Sequence, residues 1–150
     1  MLIKYNIDKN PLIFVEFLNE KDINNDSYYK FMEFWVERYQ QNNNFKFIMN
    51  LSKLTRPNLF LINDFMNQIF YLKNNYKVQY LDFSILILVN PLIRNILDYL
   101  WKNTCILNTI YLVKDESQAK NLLNILENNI YSKEFIKSYC LCNKIIIKEP

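Results

Sequence analysis

Glycine and histidine are both missing from this 150-residue chain, and each absence removes a class of chemistry. A phosphate cradle built on a glycine-rich turn needs backbone that meets the ligand without a Cβ in the way, so dinucleotide fingerprints and Walker loops are excluded. Without histidine, no side chain has an ordinary pKa near neutrality, and a nucleophile lacks its usual base. Cysteine is scarce and odd in number, at Cys105, Cys140 and Cys142. That count does not build a disulfide framework, and an intracellular chain keeps its thiols reduced. Cys140 and Cys142 sit close enough to share a soft metal, yet one further thiol leaves a closed four-ligand site short of donors. No metal and no cofactor is expected. No apolar run reaches the roughly 18 residues of a spanning helix, and the first residues lack a basic region followed by an apolar stretch. The expectation is a soluble, intracellular chain without membrane insertion.

Apolar residues make up 51% of the sequence, ample for one core in one domain and thin for two. The 18 basic and 15 acidic side chains leave a net charge of +3, spread without a basic block. Nucleic acid is therefore not an expected partner. Asn, Ile, Lys, Tyr and Phe dominate, the vocabulary of AT-rich codons, which large DNA viruses of protists, some protists and AT-rich bacteria share. The working compartment expected is a cytoplasm, or a virion if the source is viral.

Periodicity divides the chain into alternating elements. Ile3, Tyr5 and Ile7 alternate with polar neighbours, and after Lys9, Asn10 and Pro11 a denser run covers residues 12–18, which reads as a hairpin. Asn24, Asn25, Asp26 and Ser27 offer N-caps for a helix with Tyr28, Phe31, Met32, Trp35, Val36 and Tyr39 on its buried face. Residues 45–51 form a strand apolar on both sides, hence central. Thr55, Arg56 and Pro57 start a second helix whose inward face is Leu59, Ile62, Phe65, Met66, Ile69 and Leu72. It is expected to end near Asn74 and Asn75, where asparagine replaces glycine in a left-handed cap.

Residues 84–89 are too short for a helix and too continuously apolar for a half-exposed strand, so they belong inside the sheet. Asn90 as N-cap with Pro91 at the first helical position opens a third helix, with Ile93, Ile96, Leu97, Leu100 and Trp101 inward. A strand at residues 109–113 leads through Asp115, Glu116 and Ser117 into a fourth helix, with Ala119, Leu122, Leu123, Leu126 and Ile130 inward. The order β-β-α-β-α-β-α-β-α implies an α/β fold with a mostly parallel central sheet and helices packed on it. Residues 131–150 read as a tail, a short helix through Phe135, Ile136, Tyr139 and Cys140 and an extended end, packed on the domain or on a partner.

The order, and the segment running Ile85, Asn90, Pro91, Arg94, Trp101, Tyr111, Asp115, Glu116, Ala119 and Leu123, resembles the STAS-like domains, named for sulfate transporters and anti-sigma factor antagonists. Asn50, Leu51 and Ser52 are similar to the Asp-Leu-Ser that usually ends the family's central strand. The likeness covers about residues 1–130 and implies a protein–protein interaction module. The antagonists' phosphorylatable serine does not carry over, because Asn58 and Leu59 stand where the family has its Asp-Ser pair.

Open parallel sheets bind ligands at the carboxyl ends of their strands, where helix N-termini aim free N–H groups. That edge gathers Ser52, Lys53, Thr55, Arg56, Asn58, Asn90, Arg94 and Lys114. Ordinary capping and solvated cations explain them. The competing reading is a sensor for a small anion, lipid or nucleotide, with Arg56 and Arg94 as guanidinium clamps. Tyr29 and Phe34, off the buried face of the first helix, and Tyr139 in the tail are the aromatic candidates for an interface. A lipid pocket is disfavoured, since 150 residues leave little spare volume once the core is filled. The carboxylates fall mainly on exposed faces, so the expected function is a non-enzymatic STAS-like module that binds a protein partner or a second copy of itself.

Overall fold

The computed structural model describes residues 2–5, 12–17, 25–55, 59–103 and 106–150. Among them run β1 (Leu2–Tyr5), β2 (Leu12–Glu16), α1 (Asn25–Gln40), β3 (Phe45–Asn50), α2 (Leu59–Asn75) and β4 (Leu81–Ile87). They continue with α3 (Pro91–Asn103), β5 (Thr109–Val113), α4 (Glu116–Glu127), α5 (Lys133–Cys142) and β6 (Ile146–Lys148). The hairpin turn at Lys9, Asn10 and Pro11, the N-cap candidate Asn24, and Arg56, Pro57, Asn58 and Cys105 lie outside the described residues.

The strands form one sheet in sequence order, β1-β2-β3-β4-β5-β6. β2, β3, β4 and β5 are mutually parallel, while β1 and β6 close the two edges antiparallel. The fold is thus α/β with a mostly parallel sheet. Parallel neighbours need a crossover, and among the described residues each of the three crossovers contains one helix. Because β3 is buried along its whole length, both faces of the sheet must be covered.

Alternation along the strands decides what covers them. Ile13, Val15, Phe47, Met49, Leu86 and Leu112 point to one face, where they meet Phe31, Trp35 and Tyr39 of α1 and Leu72 of α2. Trp35 stands edge-on to Phe47, with ring centres 5.3 Å apart, and contacts Phe65 of α2 at the same distance. The intervening residues Ile48, Ile85, Ile87, Tyr111 and Val113 point the other way, onto Ala119 and Leu122 of α4 and Cys140 of α5. So α1, α2 and α3 lie on one face, and α4 and α5 on the other. Residues 131–150 are built into the domain: Tyr111 pairs with Ile147 across the β5–β6 ladder.

Local chemistry sets the helix ends. Asn90 Oδ1 accepts from the Leu92 N–H at 2.9 Å, with Pro91 just inside α3. Asp115 caps α4 through the Gln118 N–H, and Ser132 caps α5 through the Phe135 N–H.

Four expectations need correction. β4 runs three residues earlier than 84–89, because its pairing with β3 begins at Leu81. Leu88 still donates to Val113 O, but Val89 has left the sheet and is 61% exposed. Ile130 is not inward: α4 stops at Glu127 with Asn128 as C-cap, and Ile130 is 80% exposed in the turn that follows. The left-handed caps fall after α1 and α5, at Asn42 (φ 53°) and Lys144 (φ 56°), not at Asn74 or Asn75. Finally, the core on the α1–α3 face is not full, as the next section describes.

Lys144 is the costlier of the two left-handed positions, since its Cβ crowds the backbone and its side chain offers no local compensation. The turn is retained because Ile145 N–H reaches back to Cys140 O at 2.8 Å, placing Ile145 in the core. Lys144→Gly is expected to raise stability by about 1 kcal/mol in urea denaturation. An unchanged or lowered midpoint would show that this residue is not held left-handed.

Candidate functional site

The carboxyl ends of β3, β4 and β5 bring together the loops that hold Ser52, Lys53, Thr55, Asn90 and Lys114, with Arg94 in the first turn of α3. Several of the polar groups at this edge bond within the chain. Asn50, only 4% exposed, accepts from Ser52 N–H at 3.0 Å and from the Ser52 hydroxyl at 2.6 Å. Its amide donates to Glu116 Oε1 at 3.1 Å, tying the end of β3 to the first turn of α4. Asn90 Nδ2 donates to the carbonyls of Leu54 and Thr55, tying the β3–α2 loop to the start of α3. Lys53 pairs with Glu16 at 2.8 Å.

At the start of α4 the Lys114 N–H donates to Gln118 Oε1. The Gln118 amide in turn donates to Asn143 O, reaching the end of α5. Arg94 is half-buried, and the side chain of Lys114 is exposed. Where an anion would meet helix N-termini, this edge holds the carboxylates of Asp115 and Glu116, with Glu16 nearby on Lys53. Carboxylates at a helix start satisfy the dipole from within the chain. The Arg56 half of the expected guanidinium clamp lies outside the described residues, as does Asn58.

The aromatic candidates separate. Tyr29 is 52% exposed on α1 and borders a surface groove with Glu33, Glu37 and Gln68. Phe34 is half-buried against the core, with the Arg38 guanidinium 4.7 Å from its ring centre. Tyr139 is half-buried against the α4–α5 core. The more open apolar surface is the turn between α4 and α5, where Ile130 is 80% exposed and the rings of Tyr131 and Phe135 stack 4.5 Å apart. Its signal was present in the sequence, as three large apolar residues around the polar turn and cap at Asn128, Asn129 and Ser132, but the helical spacing of Ile130 favoured burial.

Two features escaped sequence reasoning. Lys46 is 7% exposed inside β3, pairing with Glu127 at 3.1 Å and lying 5.6 Å from the Phe83 ring centre. A charge at an inward strand position was its only signal. The second is a cavity of about 160 Å³ between the sheet and the α2–α3 layer. Phe65 and Met66 of α2, Leu97 and Leu100 of α3, and Met49 and Leu86 of the sheet wall it. Ser84 and Asn108 add the polar spot, with Asn108 Nδ2 donating to Ser84 Oγ at 3.1 Å. The expectation of little spare volume is overturned. On this face α1 and α2 approach each other closely, while only Ile93 of α3 is fully buried, so the slack lies under α3.

Among the described residues no three Cys, Asp or Glu side chains gather as a metal site requires, and no helix is long and apolar enough to cross a membrane. Burial pushes the Cys140 thiol up to about 11, so it stays protonated and unreactive at neutral pH. No family model, no curated protein and no solved structure matches the chain.

The Asn50 amide is the joint between the β3–α2 loop and α4. Asn50→Ala is expected to cost about 1–3 kcal/mol, because it strips buried partners from Ser52 and Glu116. Chemical denaturation checks this, and a loss near zero would mean that water replaces the amide freely.

Proposed function

We propose that the chain is a non-enzymatic STAS-like interaction module, working inside the cell, whose partner is first of all a second copy of itself. The STAS-like part of the reading is supported by the element order: an antiparallel pair, then parallel strands added in sequence order through single helices. The single observation that carries the interaction is the α4–α5 turn. There Ile130, Tyr131 and Phe135 present a stacked aromatic pair and an aliphatic side chain to solvent.

A two-fold interface must be complementary to itself. Lys133, Glu134 and Lys137 flank the aromatic pair and are all exposed, with Lys137 paired to Glu149 at 3.5 Å, so the patch carries charges of both signs that a second copy can complement. Aromatic anchors ringed by mixed charge are the composition that carries binding energy at interfaces. Nucleic acid is not part of the reading, because the acidic groups at the sheet edge interrupt any basic surface there.

Multi-angle light scattering across a concentration series tests this. The wild type is expected to dimerise, and Ile130→Asp combined with Phe135→Glu to be monomeric with an unchanged circular dichroism spectrum, since both side chains are exposed. A wild type that stays monomeric throughout contradicts the self-association, and a dimer that survives the double substitution contradicts the surface.

A further inference from the structure

The cavity under α3 lies on the sheet face opposite the α4–α5 turn, so what it does is separate from the interface. Its volume, about 160 Å³, is on the scale of internal spaces that stay dry when apolar and accept a single aromatic ring. The wall is nearly all Leu, Ile, Met, Phe and Trp, and among the described residues it contains no Asp, Glu, Lys or Arg. A charged group entering would lose its hydration with nothing to replace it. Carboxylates, phosphates and ammonium groups are therefore poor occupants.

The polar spot narrows the choice. Ser84 and Asn108 are 5% and 7% exposed; Ser84 lies in β4 and Asn108 just before the first residue of the neighbouring β5. Asn108 Nδ2 supplies the hydrogen bond that Ser84 Oγ accepts, and it also donates to Thr109 O at 3.2 Å. Accepting from the amide uses one of the two lone pairs of Ser84 Oγ and leaves the hydroxyl its own proton to give. Ser84 Oγ holds the buried Asn108 amide, and among the described residues nothing accepts from the Ser84 hydroxyl, which leaves its proton for an acceptor inside the cavity.

We infer that the cavity between β3–β5 and the α2–α3 layer is a binding site for a small, uncharged, largely apolar molecule. The ligand has the size of one ring with a short substituent, and it carries one oxygen acceptor that takes the Ser84 hydroxyl proton. α3 is the element best placed to respond. Filling the space beneath it adds contacts along the wall, so binding is expected to raise the melting temperature.

Three probes separate the elements of this claim: acetophenone, ethylbenzene and benzoate, which share a ring and differ in acceptor and charge. Thermal unfolding of the full chain is followed with each, and affinities are taken from calorimetry. Acetophenone and ethylbenzene are expected to stabilise, by mass action on the folded state, and benzoate at neutral pH to do nothing. Ser84→Ala is expected to weaken acetophenone by about threefold to tenfold, the worth of one hydrogen bond, and to leave ethylbenzene unchanged.

Leu97→Phe and Ile96→Phe each fill the space and are expected to abolish binding of both neutral probes. Circular dichroism identifies which of the two variants folds natively. No stabilisation by either neutral probe, or binding that persists in a folded filled variant, overturns the site. Benzoate binding as well as acetophenone, or an unaltered acetophenone affinity in Ser84→Ala, overturns the ligand chemistry.

Discussion

The six residues of β3 have no face turned to solvent, and most of the architecture follows from that. A strand buried on both sides obliges the chain to supply two covering layers. Phe45, Phe47 and Met49 are sealed by α1 and α2 through the Trp35, Phe31 and Tyr39 rings. Ile48 is sealed by α4 and α5. The last twenty residues are thus structural: Cys140 and Ile145 complete the second face, and β6 protects the β5 edge. Lys46 is the one charged member of β3, tolerated because Glu127 at the end of α4 meets its ammonium group. A buried ammonium without that partner would cost several kcal/mol.

At the strand carboxyl edge, side-chain amides hold the described turns: Asn50, Asn90 and Gln118 each bond across from one loop to another. Two features carry the proposals for recognition: the apolar corner at Ile130, Tyr131 and Phe135 on one face and the unfilled volume under α3 on the other. The first faces solvent and suits a partner. The second is walled mostly by apolar side chains and suits a small molecule.

Much of this was legible before the structure. Helical spacing of Tyr28, Phe31, Trp35 and Tyr39 identified the buried face of α1, and all four are within 2% of full burial. Asn90–Pro91 and Asp115 located two helix starts, and β5 has the bounds read from the sequence. The misses have physical causes. Periodicity continued through Ile130 because a helical pattern does not encode where the backbone stops; Asn128 does that. The left-handed caps were sought at Asn74 and Asn75, yet Lys144 adopts one because Ile145 must return to the core, a tertiary demand that overrides the local preference. The cavity was invisible because composition sums volume without saying where α3 sits. Ser52, Lys53, Thr55, Asn90 and Lys114 follow the strand ends in the chain, but the bonds made at Asn50, Asn90 and Gln118 depend on the fold.

If β3 makes one unit of both layers, the two faces cannot unfold separately. Trp35 reports the α1–α3 face by fluorescence in a Trp101→Phe background. Cys140, 1% exposed, reports the α4–α5 face by its reactivity toward a thiol reagent once Cys105 and Cys142 are replaced by serine. Both changes are combined in one chain, and urea unfolding is followed by the two probes. Coincident midpoints are predicted. Exposure of Cys140 at a clearly lower urea concentration than the loss of Trp35 burial would contradict the account, because α4, α5 and β6 would then be an appendage to a sheet that is complete without them.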